Sequence, residues 1–149
     1  MNNIDLFVKN WGSKSTMVPI SNNDLTELES QLNAVLPDSY KYLLSTYGLV
    51  HTPNVLTKIC DLNSDTSEVQ DFLSLDDVHS LSQLYEMTGM PKGHILFASD
   101  CNGDMFCFKQ SDCITQQADV AVWFFNRNLG SITQLSDSFI GWLERFNTL

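Results

Sequence analysis

The feature that most constrains the fold is a pair of apolar runs joined by Asn102-Gly103. The first run spans residues 94–100 and the second spans residues 104–109. An Asn-Gly pair between two apolar runs predicts a β-hairpin, because a type I′ turn needs positive φ at both central residues. The predicted pairs across this turn are Cys101 with Asp104, Ser99 with Phe106, and Phe97 with Phe108. Both faces of the hairpin then carry apolar side chains, so we expect both faces to be largely covered.

Helical spacing dominates the first 50 residues. An amphipathic stretch over residues 4–11 ends at Gly12, and Ser21 opens a group of candidate N-caps before apolar residues at helical spacing over 25–35. The pair Leu36-Pro37 breaks this helix, because proline disfavours the helical conformation of the residue before it. A second helix is predicted from Pro37 or Asp38 to Gly48, so the region is a helix-break-helix pair.

The rest of the chain carries signals of both strands and helices. We predict strands at 55–60, 118–125 and 131–135, a short strand at Phe72-Leu73 inside a polar loop over 61–77, a helix over 77–87, and a closing helix capped by Ser136. This order predicts an α+β fold, with a mainly antiparallel sheet and helices packed on one face. The length of 149 residues is typical of one domain.

The chain is strongly acidic, with 8 Lys and Arg against 18 Asp and Glu and a formal net charge of −10. Nucleic acids and anionic membranes attract Lys and Arg, so this balance argues against both as partners. A basic protein is still a candidate partner. The alternative is that the charge has no binding role and only keeps the protein soluble.

The acidic residues are concentrated in one interval. No Lys or Arg lies between Lys58 and Lys92. Six acids of this interval are our candidate partner-binding residues: Asp61, Asp65, Glu68, Asp71, Asp76 and Asp77. Such a patch speeds the encounter with a basic partner and improves selectivity. The alternative is a solvated loop without a binding role.

Signals of catalysis and of metal binding are weak. The three histidines, His51, His79 and His94, have no HExxH spacing, and no CxxC or phosphate-binding glycine motif is present. We therefore expect no catalytic residues, metal, cofactor or small-molecule substrate. The four cysteines are expected to be reduced and mostly buried. The start of the chain has no signal-peptide pattern, so we expect a cytoplasmic protein.

Three segments, in order, resemble the SUKH superfamily. Residues 36–44 followed by Gly48 are similar to its pattern LP-x-x-Y/F-x-x-F/L-L…G. Residues 95–108 look like its glycine-containing hairpin, and residues 122–143 look like its late strand followed by s-F-x-x-f-L. The resemblance runs from about residue 22 to residue 147, while residues 59–91 match none of its motifs.

The resemblance implies an α+β domain with helices packed against one sheet and no catalytic residues. Its bacterial members are thought to bind and neutralise a cognate toxin, commonly a nuclease, in the cytoplasm. The matching positions have structural roles: Leu36, Pro37, Tyr40, Leu43, Gly48, Asn102, Gly103, Phe139 and Leu143. We therefore predict an immunity protein that neutralises a basic nuclease toxin by stoichiometric binding through an acidic surface. The alternatives are a non-catalytic scaffold or regulator with a non-toxin partner, and a small enzyme of unrecognised type.

Overall fold

The computed structural model describes residues 2–13, 17–62 and 68–149. These residues form six α-helices, one short 3-10 turn and a five-stranded sheet. In chain order the elements are α1 (Asn3–Trp11), α2 (Asn22–Leu32), α3 (Asp38–Thr46), α4 (Val55–Asp61), β1 (Asp71–Phe72), α5 (Leu75–Met87), β2 (His94–Ser99), β3 (Met105–Lys109), the 3-10 turn (Gln110–Asp112), β4 (Val122–Asn126), β5 (Ser131–Ser136) and α6 (Phe139–Asn147). The predicted α+β class is confirmed.

The sheet is an antiparallel meander. Its strands lie in sequence order from β1 to β5, and every neighbouring pair is antiparallel. The segment around His51 extends the sheet beyond β1, because His51 forms a bridge with Asp71 and the Thr52 N–H donates to the carbonyl of Gln70 at 3.0 Å. The short strand predicted near Phe72 is therefore present and is paired on both sides.

The predicted strand over Val55–Cys60 is wrong, because this segment forms α4. Val55 and Ile59 are buried, with 0% and 6% of their surface exposed. Their four-residue spacing places both side chains on one helical face. Burial of that face against the core outweighs the preference of valine and isoleucine for strands, which depends strongly on context.

The predicted β2–β3 hairpin is confirmed, but its predicted register is wrong. The observed pairs include Ser99 with Met105, Ala98 with Phe106, and Leu96 with Cys107. Residues 100–104 form the loop, and Asp100 explains its length. Its Oδ1 accepts hydrogen bonds from the N–H of Asn102 at 2.8 Å and from the N–H of Asp104 at 2.9 Å. This aspartate-centred turn replaces the two-residue type I′ turn.

An aromatic cluster fills the space between one face of the sheet and helices α3 and α6. Tyr40 of α3 contacts Phe97 and Phe108, with ring centroids 5.6 and 5.4 Å apart. Phe97 and Phe108 stack at 4.2 Å. Phe139 and Trp142 of α6 pack edge-on against Phe97, at 5.7 and 5.5 Å. Removal of one such buried ring typically costs about 3–5 kcal/mol, so this cluster anchors the fold.

Helix α5 packs against the other face of the sheet. Phe124 and Phe125 are consecutive in β4 and therefore point to opposite faces. Phe124 contacts Phe106, which in turn contacts Trp142 of α6. Phe125 instead contacts Tyr85 of α5, with ring centroids 6.1 Å apart. The expected helical face is thus formed by α3 and α6, and α5 covers the second apolar face.

Asp119 joins three separate parts of the chain. Its Oδ1 accepts hydrogen bonds from the Ser39 hydroxyl at 3.0 Å, the Val120 N–H at 2.8 Å and the Phe139 N–H at 2.7 Å. Its Oδ2 accepts a hydrogen bond from the Ile140 N–H at 3.1 Å. One carboxylate therefore caps the start of α6 and ties it to α3.

The predicted N-cap of the closing helix, Ser136, is wrong. Ser136 is the last residue of β5, and Ser138 caps α6 by accepting a hydrogen bond from the Gly141 N–H at 2.9 Å. The strand continues through Ser136 because this residue pairs with Val122 of β4.

The residues of the family pattern lie mainly in the core. Gly48 has a φ of +97°, and a Cβ at this position would lie 2.1 Å from the carbonyl oxygen of Val18. Only glycine fits this conformation and this close approach. Five other residues of the pattern have fully buried side chains: Leu36, Tyr40, Leu43, Phe139 and Leu143.

Candidate functional site

A groove with an apolar floor lies between α2 and α5. Its first part is a cavity of about 360 Å³. The cavity is lined by apolar residues and by polar and acidic residues: Ile20, Leu28, Leu49 and Leu75, and Asp24, Glu27, Gln31, Ser74 and Asp76. Leu28 is buried, whereas the other three apolar side chains are half-buried against the core. We call this part the acidic cavity.

Three carboxylates form the rim of the acidic cavity. Asp24 and Glu27 are three residues apart on α2, which places them on the same side of the helix. Asp76 lies in the first turn of α5, whose N-cap is Ser74. All three side chains are exposed. Within the described part of the chain, none of the three is within ion-pair distance of a Lys or Arg.

A second cavity of about 160 Å³ continues the groove, and Gln31 lines both cavities. Its other walls come from α5 and the start of β2, including His79, Gln83 and His94. The His94 Nδ1 lies 3.1 Å from the carbonyl oxygen of Pro91. A carbonyl only accepts hydrogen bonds, so Nδ1 carries a proton, and Nε2 of the neutral ring is an acceptor. This end of the groove is therefore polar, with amides, imidazoles and one carboxylate, Glu86, whose Oε1 accepts a hydrogen bond from the Gly93 N–H at 3.1 Å.

Two of the six predicted acids lie beside this groove. Asp76 lines the acidic cavity, and Asp77 is its exposed neighbour in the first turn of α5. Asp61 is exposed at the end of α4. Asp65 lies outside the described residues. The structure thus brings only part of the predicted set to the groove.

The other two predicted acids already have partners within the protein. The carboxylate of Asp71 is paired with the His51 ring at the sheet edge. Glu68 is only 8% exposed, and its Oε1 accepts a hydrogen bond from the Cys101 N–H at 3.0 Å. Both carboxylates therefore already have a partner within the protein, which leaves less of their charge for another protein.

Glu68 belongs to a second acidic group, at the β2–β3 loop. Asp100 and Asp104 are each 8% exposed. Burial raises the pKa of Asp100, although hydrogen bonds from the loop oppose this shift. The Arg127 N–H donates to Asp104 at 2.9 Å, and the Arg127 guanidinium donates to the carbonyl of Asn102 at 2.7 Å. These contacts stabilise the loop, so we assign this group a structural role.

Three of the four cysteine thiols have a raised pKa. Burial raises the pKa of Cys107 and of Cys113 to about 12, so both thiols are protonated near neutral pH. The neighbouring Glu68 carboxylate raises the pKa of Cys101 to about 11. Contrary to the expectation of mostly buried thiols, Cys60 and Cys101 are exposed. In the described part of the chain, no three His, Cys, Asp or Glu side chains are grouped so that they could hold a metal ion.

Three larger depressions lie elsewhere: one of about 520 Å³ has no charged side chain in its lining, and two others contain charged side chains. One, of about 420 Å³, includes Asp119, whose carboxylate is already saturated by four hydrogen bonds. The other, of about 580 Å³, lies beside β5, where the Arg145 guanidinium donates to the carbonyl of Leu135. Asp119 and Arg145 therefore serve the fold, whereas none of the three rim carboxylates of the acidic cavity forms an ion pair with a Lys or Arg of the described residues.

Sequence reasoning missed Asp24 and Glu27, because it followed acids that are close together in the chain. The available signal was the helical spacing of Asp24, Glu27 and Gln31 on the polar side of α2. That signal places the three residues on one face but does not show that α5 lies next to them.

The fold and the groove define a class of protein: an α+β protein with an antiparallel sheet, helices on both of its faces and an acid-rimmed groove. The sequence model of the SMI1 / KNR4 family (SUKH-1) matches residues 19–145. The chain therefore belongs to the SMI1 / KNR4 family (SUKH-1), and the resemblance to the SUKH superfamily is confirmed. No curated protein matches the chain.

Among the described residues, no helix has both the length and the apolar character needed to cross a bilayer.

Proposed function

We propose that this protein is a cytoplasmic immunity protein that binds a cognate bacterial toxin, a basic nuclease domain, and neutralises it by stoichiometric binding. Family membership is compatible with a binding role of this kind. The main support for the proposal is the groove between α2 and α5. None of the three carboxylates on its rim forms an ion pair with a Lys or Arg of the described residues. The proposal includes no catalytic step and no bound cofactor.

The placement of the charge supports this proposal more than its total does. Ten net charges over an accessible surface of 7583 Å² correspond to about one per 760 Å². A standard interface covers about 800 Å² on each partner. If the net charge were spread evenly over the surface, an interface would contain about one net negative charge. The acidic cavity alone has three carboxylates on its rim.

Such a face favours a basic partner in two ways. The concentrated charge steers encounter and raises the association rate, an effect that salt reduces because the screening length is about 8 Å at physiological ionic strength. The apolar floor adds contact area that salt does not weaken. A nuclease domain binds the phosphates of its substrate with basic residues, so a partner that covers those residues blocks the substrate.

The proposal is tested by co-expression with the product of the neighbouring gene. We expect growth rescue, a 1:1 complex, and weaker binding at 300 mM than at 50 mM salt. The double variant Glu27→Lys/Asp76→Lys is expected to weaken the complex at least tenfold, which is about 1.4 kcal/mol. The matched control is Asp112→Lys/Glu144→Lys, which changes the net charge equally at exposed positions outside the groove.

The outcomes separate the alternatives. Equal affinity of the groove variant and the control would overturn the groove as the binding face. The variant Asp61→Lys/Asp77→Lys then tests the acids predicted from the sequence. A stable complex without growth rescue would favour the scaffold or regulator with a non-toxin partner, and turnover of a substrate by the isolated protein would overturn the non-catalytic role.

A further inference from the structure

We infer that the groove between α2 and α5 takes a segment of the partner that places one arginine side chain in the acidic cavity. The inference rests on the proposed function, because it names the group of the partner that this site recognises.

The floor and the rim together select a long cationic side chain. Arg and Lys have an apolar stem and a charged end, so the stem packs on an apolar surface while the charge stays at its edge. The half-buried side chains of Ile20, Leu49 and Leu75 offer that surface. The carboxylates of Asp24, Glu27 and Asp76 offer the edge. An acidic side chain would be repelled here, and an apolar one would desolvate the carboxylates without a hydrogen bond in return.

The division of the rim between two helices favours arginine over lysine. Asp24 and Glu27 lie on α2, whereas Asp76 lies on α5. A guanidinium has five N–H donors in a planar fork and donates to carboxylates on two sides, whereas an ammonium is a compact point charge. The volume of about 360 Å³ is at the small end of the range of ligand pockets, about 300–1,000 Å³, and suits one side chain.

The second cavity indicates what lies next to the arginine. The His94 Nε2 is buried and has no hydrogen-bond partner in the described part of the chain. In the neutral ring Nε2 is an acceptor, because Nδ1 donates to the carbonyl of Pro91, and a buried acceptor favours a donor that approaches it. The amides of Gln31 and Gln83 are close by on the same walls. We therefore expect a residue with an O–H or N–H donor beside the arginine.

The test uses the full-length ¹⁵N-labelled protein and three blocked tripeptides: acetyl-Ser-Arg-Ser-amide, its lysine analogue and its citrulline analogue. We expect the arginine peptide to give saturable shifts of the backbone amides of Leu28, Gln31, Leu75 and Asp76. Its dissociation constant should be at least threefold below that of the lysine peptide. The citrulline peptide, which has the same shape without the charge, should not saturate.

Two matched variants locate the site. Glu27→Gln/Asp76→Asn should weaken the arginine peptide about tenfold, whereas Asp112→Asn/Glu144→Gln should change its affinity less than twofold. Equal affinities of the arginine and lysine peptides would overturn the inference. Shifts centred on Asp112 and Glu144, or no shift at the groove, would overturn it as well.

Failure of this inference is distinguishable from failure of the proposed function. If Glu27→Lys/Asp76→Lys disrupts the toxin complex but the arginine peptide does not bind, only the arginine assignment is wrong. If the arginine peptide binds but the neighbouring gene product does not, the groove recognises arginine and the immunity role is wrong.

Discussion

Replacement of Asp119 should destabilise the protein more than replacement of any exposed carboxylate. The side chain accepts hydrogen bonds from the Ser39 hydroxyl and from the backbone N–H groups of Val120, Phe139 and Ile140. In Asp119→Ala these four donors lose their acceptor at once. In Asp119→Asn one acceptor oxygen remains, while the amide NH₂ group faces a backbone donor.

The magnitude follows from the groups involved. Loss of a helix cap costs about 0.5–2 kcal/mol. A donor that loses a charged acceptor costs about 1.5–3 kcal/mol, and water offsets part of this cost because Asp119 is only half-buried. We therefore expect Asp119→Ala to lower the free energy of unfolding by about 3 kcal/mol, and Asp119→Asn by about half of that. For a chain of this size the first change corresponds to a fall in Tm of about 6–12 °C.

Urea denaturation at pH 7 measures this loss as a lower midpoint with an unchanged m value. The control is Asp137→Ala, which removes the same charge from an exposed carboxylate that accepts a hydrogen bond from the Gln134 side chain at 3.0 Å. The control should change the free energy of unfolding by less than about 0.5 kcal/mol. If Asp119→Ala is as stable as this control, the capping role of Asp119 is refuted.

Two further predictions concern tyrosine hydroxyls. The Tyr40 hydroxyl is buried and has no hydrogen-bond partner among the described residues, so Tyr40→Phe should raise the free energy of unfolding by about 1 kcal/mol, and a loss of stability on urea denaturation would contradict this reasoning. Hydrogen bonds from Tyr47 and Tyr42, at 2.6 and 2.8 Å, lower the pKa of Asp5 from its ordinary value of 3.8. The resulting stabilisation is present above that value and is lost as the pH falls through the lowered pKa. The stability difference between wild type and Asp5→Asn should therefore be constant at about pH 5–7 and shrink as the pH falls below about 3.8. A difference that grows as the pH falls below this value would contradict the reasoning.

The elements that the sequence predicts well have their signals within a few residues. Ser21 precedes the apolar spacing of α2, and it is the observed N-cap. The Asn102-Gly103 pair correctly indicates the hairpin, because an apolar run lies on each side of it. The family pattern adds the order of the remaining elements, and the family itself is confirmed.

The predictions from sequence are wrong where the local structure depends on a contact with a distant residue or on a competing hydrogen bond. Helix α4 forms because Val55 and Ile59 bury one face, which depends on neighbours that the segment itself does not reveal. The hairpin register changes because Asp100 captures two backbone N–H groups. The start of α6 is fixed by Ser138 together with Asp119, which lies 20 residues before Phe139.

The candidate site was predicted only in part for the same reason. Acids that are close together in sequence were expected to share one surface, and Asp76 does line the groove. Glu68, however, is turned into the β2–β3 loop, and Asp71 is paired with His51. The other carboxylates of the rim, Asp24 and Glu27, come from a helix about 50 residues earlier in the chain. Only the packing of α2 against α5 brings them together.

The position of α5 has a consequence for how proteins of this kind diverge. The aromatic cluster around Tyr40 and Phe97 lies across the sheet from α5, whereas the rim residues Asp24, Glu27 and Asp76 are exposed. Exposed substitutions far from a core usually change stability by less than about 0.5 kcal/mol and combine additively. Under the proposed function, a duplicated copy can therefore acquire a new partner through single substitutions in the groove while every intermediate still folds.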